Sequence, residues 1–267
     1  MQCFFGLPCT QQMFVEKPTS VADLAASCGC EAVLSQKVKL YNVFFVVRRP
    51  AAATDGGPSE GETQSTAAAI NSKRTVSSSC PTPPPLEVLL GHKARGHGAG
   101  NWNGFGGKVE AQDANIAASA ARELEEECGL RCDPSKLDRR GVIWFRYPEQ
   151  PHMMEVHVYV ASAEDCSSTV VESEEMTPIL WTPVNDVPLE KMWADDPFWL
   201  PQLFHALGEE MAGGQHVYAF TAFFDFAEGF KTIVHHAVSP FVAATSGECA
   251  SRLSESCRSD RAAVDTQ

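Results

Sequence analysis

No stretch of this chain reaches the run of about 18 apolar residues that a membrane-spanning helix needs, so no membrane partner is expected. Positive charge is scarce. Lys and Arg number 21 against 34 Asp and Glu, for a formal net charge of −13 and a pI near 5.0. That balance argues against a long nucleic acid as the main partner, because such binding works by neutralising phosphates with Lys and Arg. A small polyanion held by a metal and a few local cations stays compatible with it. No arginine precedes Arg48, which argues against a mitochondrial presequence. The opening MQCFFGLPC has no basic region, which argues against a secretory signal. Zinc-knuckle spacing is missing too: Cys28-Gly29-Cys30 lacks the two-residue gap and has no second half. The ten cysteines therefore read as free thiols in a reducing, cytoplasmic setting, with nucleus and mitochondrion left open. Cys28 and Cys30 fall in a segment that looks peripheral, whereas Cys128, Cys132 and Cys166 fall in the expected core. The glycine-rich run at 96–107 does not form G-x-G-x-x-G, and no Ser or Thr follows Gly107-Lys108. Dinucleotide and Walker-type phosphate loops are thereby excluded.

A hydrophobic content of 44% over 267 residues is enough for a substantial core. Residues 1–36 read as a weakly ordered extension. Lys37–Val47, KVKLYNVFFVV, is rich in β-branched and aromatic residues and predicts a strand. The Ala-, Ser-, Thr-, Pro- and Gly-rich stretch 51–85 has little that can form a core and reads as a low-complexity insert. Leu86–Gly91 resumes as a strand, making an antiparallel pair with the first across an enlarged loop. Strands are also expected at 140–147, 153–161 and 179–182. A helix is expected at 198–211, and a terminal hairpin at 216–226 and 231–238. The domain is therefore expected over 37–238, with 239–267 as a disordered tail.

The most informative stretch is 101–130, NWNGFGGKVEAQDANIAASAARELEEECGL. A glycine turn, Gly104-Phe105-Gly106-Gly107, leads into a predicted helix from Asp113, read as its N-cap, to Cys128, with Gly129 as its stop. Ile116, Ala120, Leu124 and Cys128 mark the buried face. Glu123, Glu126 and Glu127 lie side by side on the other face, where they repel one another and oppose the helix dipole. Arg122 can pair with Glu126, but one cation does not neutralise three carboxylates. A solvated acidic helix end is one reading. A site for a hard divalent cation is the other, and the adjacent glycine turn, which lets backbone approach a ligand, favours it. Lys93 and Lys108 are candidate phosphate contacts or simply surface lysines. His157 reads as a packed or hydrogen-bonded strand residue rather than a metal ligand, since no partner has ligand spacing with it. In KMWADDPFWLP, Trp193 can stack on a base. Asp195 and Asp196 are adjacent carboxylates that cannot both ionise freely in an apolar pocket, so one can donate a hydrogen bond. Their alternative reading is as caps of the following helix, with Trp193 and Trp199 in the core.

The motif Gly107…Arg122-Glu123-Leu124…Glu126-Glu127…Gly129-Leu130 resembles the Nudix box, G-x5-E-x7-R-E-U-x-E-E-x-G-U. Its second half matches at every defined position. In the first half Asp113 replaces the Glu, and eight residues rather than seven separate it from Arg122. GNWNGFGGKV, MMEVHVYV, ESEEM and MWADDPFWLP further resemble the oxidised-purine nucleoside triphosphate hydrolases of that family. The resemblance implies an α/β fold of the α+β kind, a mixed β-sheet sandwiched between helices. It implies hydrolysis of oxidised purine nucleoside triphosphates such as 8-oxo-dGTP to monophosphate and pyrophosphate, which sanitises the nucleotide pool. Mg²⁺, or Mn²⁺ in its place, is held by Glu123, Glu126, Glu127, Glu175 and the Gly106 carbonyl. Arg122 orients Glu126, and Glu127 or Glu126 acts as base. The implied substrate pocket comprises Asn42, Lys93, Asn103, Phe105, Gly106, Gly107, Lys108, Phe145, Met154, Trp193, Asp195 and Asp196. His97 stands where relatives often carry an aromatic. The partner is thus a small-molecule nucleotide, and the chain is expected to be a monomer. A Nudix hydrolase of dinucleoside polyphosphates or nucleotide sugars and an inactive nucleotide-binding module are the alternatives. The Asn103, Trp193, Asp195, Asp196 set speaks against the first, and the intact glutamates against the second.

Overall fold

The computed structural model describes residues 19–30, 36–50, 86–214 and 217–243. The expected insert at 51–85 and residues 244–267 of the expected tail lie outside the described residues. The strand β1 (Lys37–Arg48) forms where the β-branched and aromatic run predicts it. It pairs in parallel with β6 (His152–Ser162), from Lys37 opposite His152 to Val47 opposite Ser162. On its other side β1 meets β2 (Glu87–Lys93) antiparallel through Val47–Val88 and Arg48–Glu87, the pairing expected of strands that flank the insert. Beyond β6 come β5 (Asp138–Arg146), β9 (Val217–Phe226) and β10 (Ile233–Ala243). The short β3 (Trp102–Asn103) and β8 (Met176–Pro183) both pair with β2. The β5–β9 pair is parallel and the β5–β6 pair antiparallel, so the sheet is mixed.

Both faces of the sheet are covered, and the period-two alternation of its strands divides the core. Phe45, Val47, Val156, Val158 and Val160 pack under α3 (Asp196–Met211), with its Trp199, Leu200, Leu203 and Phe204. Phe45 meets Trp199 and Phe204 edge-on, at ring-centroid distances of 6.1 and 5.7 Å. Phe44, Val46 and Tyr159 face the other way, under α2 (Ile116–Cys128). Ala120, Leu124 and Cys128 of α2 are fully buried there, the four-residue spacing read from the sequence. His157 is a buried strand residue hydrogen-bonded to Glu155 (2.8 Å) and Arg139 (3.2 Å), as expected.

Besides shifts of a few residues, such as β8 starting at Met176 and α3 at Asp196, three differences from expectation stand out. Helix α2 starts at Ile116, and its N-cap is Asn115, whose Oδ1 accepts the Ala118 amide at 2.9 Å; Asp113 is not the cap. In the segment expected to be weakly ordered, α1 (Val21–Ser27) forms and buries Leu24 and Ala25 against Val142, Trp144 and Phe223. Cys30 is buried with them, so that cysteine is not peripheral. Two apolar positions in a row and the Ser20 cap were too short a signal to set against the polar context. The last strand runs to Ala243, five residues past the expected boundary. Antiparallel pairing with β9 (Val217 opposite Ala243) carries Ser239 to Ala243 along, and Phe241 is buried. No helix among the described residues is long and apolar enough to cross a membrane.

Candidate active site

Helix α2 and the glycine turn are locked together from both ends. The turn runs along β1, with the Phe105 amide donating to Phe44 O (2.9 Å) and the Asn42 amide to Gly107 O (2.9 Å). Gly106 adopts φ +153°, and a Cβ there would lie 2.3 Å from the Asn42 carbonyl oxygen, so only glycine fits. A Cβ on Gly107 would meet Glu123 Oε1 at 2.6 Å. The turn thereby reaches the helix carboxylates, and the Gly106 amide donates to Glu127 Oε2 at 2.8 Å.

Arg122 organises the helix side. Its Nε and one terminal nitrogen grip both oxygens of Asp113, at 2.9 and 3.0 Å. Its other nitrogen reaches Glu126 (3.0 Å) and Glu123 (3.1 Å). The extra residue of the motif is absorbed in the turn before Asn115, where Asp113 Oδ2 also accepts the Glu110 amide (2.8 Å). Asp113 therefore keeps a role as the anchor of Arg122, and the guanidinium holds its carboxyl far below the usual range. Asp113→Ala is expected to cost about 1–3 kcal/mol, the penalty for stripping a hydrogen-bonded partner from a charge, and urea unfolding reads it. Because the folded pKa is depressed, this stability is present above about pH 4 and is lost as pH falls through the folded value.

A cavity of about 320 Å³ opens beside the carboxylates, a size suited to a small ligand. Glu123, Glu127 and Glu175 line one end. Glu127 is buried, and desolvation raises its pKa although Lys93 and the Gly106 amide pull it down. Glu123 is likewise raised by burial, against Arg122. Glu126 does not line the cavity; its side chain is 59% exposed at the rim, held by Arg122. Lys93 lines the cavity and is not a surface lysine. Its Nζ lies 2.9 Å from Glu127 and 2.8 Å from Glu175, and although burial pushes its pKa down, those hydrogen bonds leave it raised. Lys108 lines the cavity and pairs loosely with Glu110 at 3.7 Å.

The other end is aromatic and acidic. Asp195 and Asp196 are almost wholly buried and line the cavity, as do Phe145, Met154, Asn103 and Trp193. Neither aspartate caps α3 through its side chain in the usual way. Asp195 accepts the Trp199 indole N–H at 3.0 Å, and Asp196 accepts the Trp193 amide at 2.9 Å. Burial pushes Asp195 up to about 6, and burial plus the neighbouring Asp195 charge raises Asp196 well above the carboxylate range. Asn42 donates to Ser119 Oγ (3.1 Å), while its buried Oδ1 has no hydrogen-bond partner among the described residues. An unpaired buried acceptor on a cavity wall is costly unless a ligand supplies the donor.

Comparison with known sequences matches this arrangement to one family. The NUDIX domain profile matches residues 74–203. The oxidized purine nucleoside triphosphate hydrolase of Mus musculus is 45% identical over 119 residues, covering 45% of this chain and 72% of the relative. That of Danio rerio is 44% identical over 117 residues, covering 44% and 71%. The chain belongs to the Nudix family. Among solved structures, a MutT protein from Bacillus halodurans shows 16% identity and a TM-score of 0.47, covering 75% of this chain and 97% of that one.

In this Nudix protein the cavity brings together all but one of the substrate-pocket residues read from the sequence. The exception is Phe105, which is fully buried beneath α2 in the core and lines no cavity. Strand-like pairing with Phe44 turns its ring inward, while Gly106 and Gly107, which follow it, line the site. Tyr147, Met176 and Trp199 also line the cavity and were not assigned to it from the sequence; Trp199 sits in the core as well, the place its alternative reading gave it. Tyr147 ends an apolar strand run and carried no separate signal. His97 stacks on Trp193 with centroids 5.0 Å apart, so the aromatic wall is kept by an imidazole, whose pKa is lowered by burial and by Lys93.

Proposed function

We propose that this Nudix protein hydrolyses oxidised purine nucleoside triphosphates, such as 8-oxo-dGTP, to the monophosphate and pyrophosphate. The observation that carries the reading is the buried Asp195–Asp196 pair in the same cavity as the α2 glutamates. One end is chemically suited to a polyphosphate with its cation. The other is suited to a purine edge, which presents donors and acceptors together, because a protonated and an ionised carboxylate can answer both. The named activity of the mouse and zebrafish relatives agrees with this pairing.

The donor set fits a hard divalent cation: its side chains are carboxylates, and an ammonium, Lys93, already sits between two of them. Glu123, Glu127 and Glu175, with Glu126 at the rim and the Gly106 carbonyl, would hold Mg²⁺, or Mn²⁺ in its place. The cation supplies neutralisation of the phosphate charge when bound. Glu127 takes the proton of the water that attacks phosphorus; burial makes it the better base, and Gly106 and Lys93 fix its direction. Arg122 keeps Glu123 and Glu126 in place from the Asp113 anchor. Trp193 and His97 form a stacking wall for the base, and Asn42 Oδ1 offers it a further acceptor.

The test is kcat/KM with Mg²⁺ for 8-oxo-dGTP and dGTP side by side, with pyrophosphate and phosphate both assayed. A strong preference for the oxidised base with pyrophosphate released is the expected result. Turnover without preference would discard the base-reading role of Asp195 and Asp196, and release of phosphate alone would discard the bond assignment.

A further inference from the structure

Helix α1 ends in a closed turn that directs one of its two cysteines, Cys30, into the fold. Gly29 adopts φ +77°; its amide donates to Ala26 O at 3.1 Å, and the Cys30 amide donates to Ala25 O at 2.8 Å. This closure turns the buried Cys30 toward β9 and β10. There Cys30 Sγ lies 3.7 Å from Asp225 Oδ2, and His235 Nδ1 lies 3.1 Å from the same oxygen. All three ligand atoms are within 4.8 Å of one another. Asp225 and His235 are directly opposed in the β9–β10 ladder, so the sheet holds that half of the group without help from α1. None of these residues lines the active-site cavity.

We propose that Cys30, Asp225 and His235 form a second metal site, selective for Zn²⁺, with the fourth position open to solvent. Zinc bond lengths of about 2.3 Å to sulfur and about 2.0–2.1 Å to nitrogen and oxygen, at tetrahedral angles, give ligand-to-ligand edges of roughly 3.5 Å for S···O and roughly 3.3 Å for N···O. The observed 3.7 and 3.1 Å match those edges without moving either strand. Thiolate and imidazole select a borderline-soft ion, whereas the carboxylates of the active site select a hard one, so the two sites discriminate between metals. On binding, the Cys30 thiol releases its proton to solvent. Zn²⁺ with one thiolate, one carboxylate and a neutral imidazole carries no net charge. Arg146 holds the carboxylate in place: its Nε donates to Asp225 Oδ1 at 2.7 Å and its terminal nitrogen to Oδ2 at 2.6 Å. A ligating carboxylate needs such an outer partner to fix its orientation, and through Oδ1 Arg146 keeps that contact when Oδ2 turns to the metal. The bound ion would fasten α1 to the edge of the sheet.

The experiment uses the full chain, reduced with a phosphine and stripped of metal, then titrated with Co²⁺ as a coloured stand-in for Zn²⁺. A thiolate-to-cobalt charge-transfer band in the near ultraviolet arises only where sulfur is a ligand, so Co²⁺ at the active-site carboxylates does not contribute. The band is expected to saturate at one Co²⁺ per chain and to be bleached by Zn²⁺. It is expected to vanish in Cys30→Ser and His235→Ala, and to persist in Cys132→Ser. Circular dichroism checks that each variant is folded. The partly exposed His235 keeps the test available if Cys30→Ser does not fold. Absence of the band in the unaltered chain, or its survival in folded Cys30→Ser or His235→Ala, would overturn the site.

Discussion

Glu127→Gln is expected to lower kcat for an oxidised purine triphosphate by about 10²–10⁴-fold, the usual range for loss of a positioned general base. Glu127 is the most buried of the helix glutamates, and both of its oxygens are already directed, one by Lys93 at 2.9 Å and one by the Gly106 amide at 2.8 Å. Glutamine fills the same volume but offers one acceptor oxygen instead of two, so one of those donors loses its partner. The lost interaction belongs to the step that moves a proton, so kcat and kcat/KM should fall together. Glu126→Gln is the comparison. That side chain is 59% exposed at the rim and is tied to Arg122, so a smaller loss is expected. Single-turnover kinetics on both variants, with thermal unfolding as the folding control, decide the matter. Wild-type kcat in folded Glu127→Gln would remove it from the role of base.

Asp196→Asn is expected to reduce the kcat/KM preference for the oxidised over the ordinary purine by about 10- to 100-fold. That is the scale of leaving one buried group without its hydrogen-bond partner, roughly 1–3 kcal/mol. The pH dependence gives an independent sign. Burial pushes Asp195 up to about 6, and burial together with the Asp195 charge raises Asp196 well above its ordinary value. A raised carboxylate keeps its proton, and therefore its donor, where an ordinary aspartate has lost it. The donor is present below the raised value and disappears as pH rises through it. Discrimination should thus be highest near neutral pH, fall on the acid side as Asp195 takes up a proton at about 6, and decline on the alkaline side as Asp196 loses its own, and Asp196→Asn, which cannot titrate there, should flatten the alkaline decline. A preference unchanged by both substitution and pH would return the pair to a purely structural role, accepting the Trp193 amide and the Trp199 indole N–H.

What could be read from residues alone was local. Glu123 and Glu127 share a helix face because they are four apart, Gly129 stops that helix because it takes φ +75° at no cost, and Lys37–Arg48 is a strand because its side chains suit a two-sided sheet. Spacing also showed the extra residue in the Nudix box, and the structure locates its accommodation before Asn115. Misreadings occurred where a residue's role depends on what faces it. Phe105 directly precedes the two site glycines, yet its pairing with Phe44 turns the ring into the core. Lys93 could be read as a phosphate contact or a surface lysine, and Glu127 and Glu175, 34 and 82 residues further along, are what close on it. Cys30 looked peripheral until the fold brought it to Asp225, 195 residues away. The sequence by itself determined which carboxylates, glycines and aromatics the protein has to work with, since helix and strand periods are set by backbone geometry. Only the tertiary structure decided which of them are desolvated. Burial is a property of everything packed around a group, and it is burial that turns Asp195 and Asp196 from two ordinary aspartates into a pair that retains a proton.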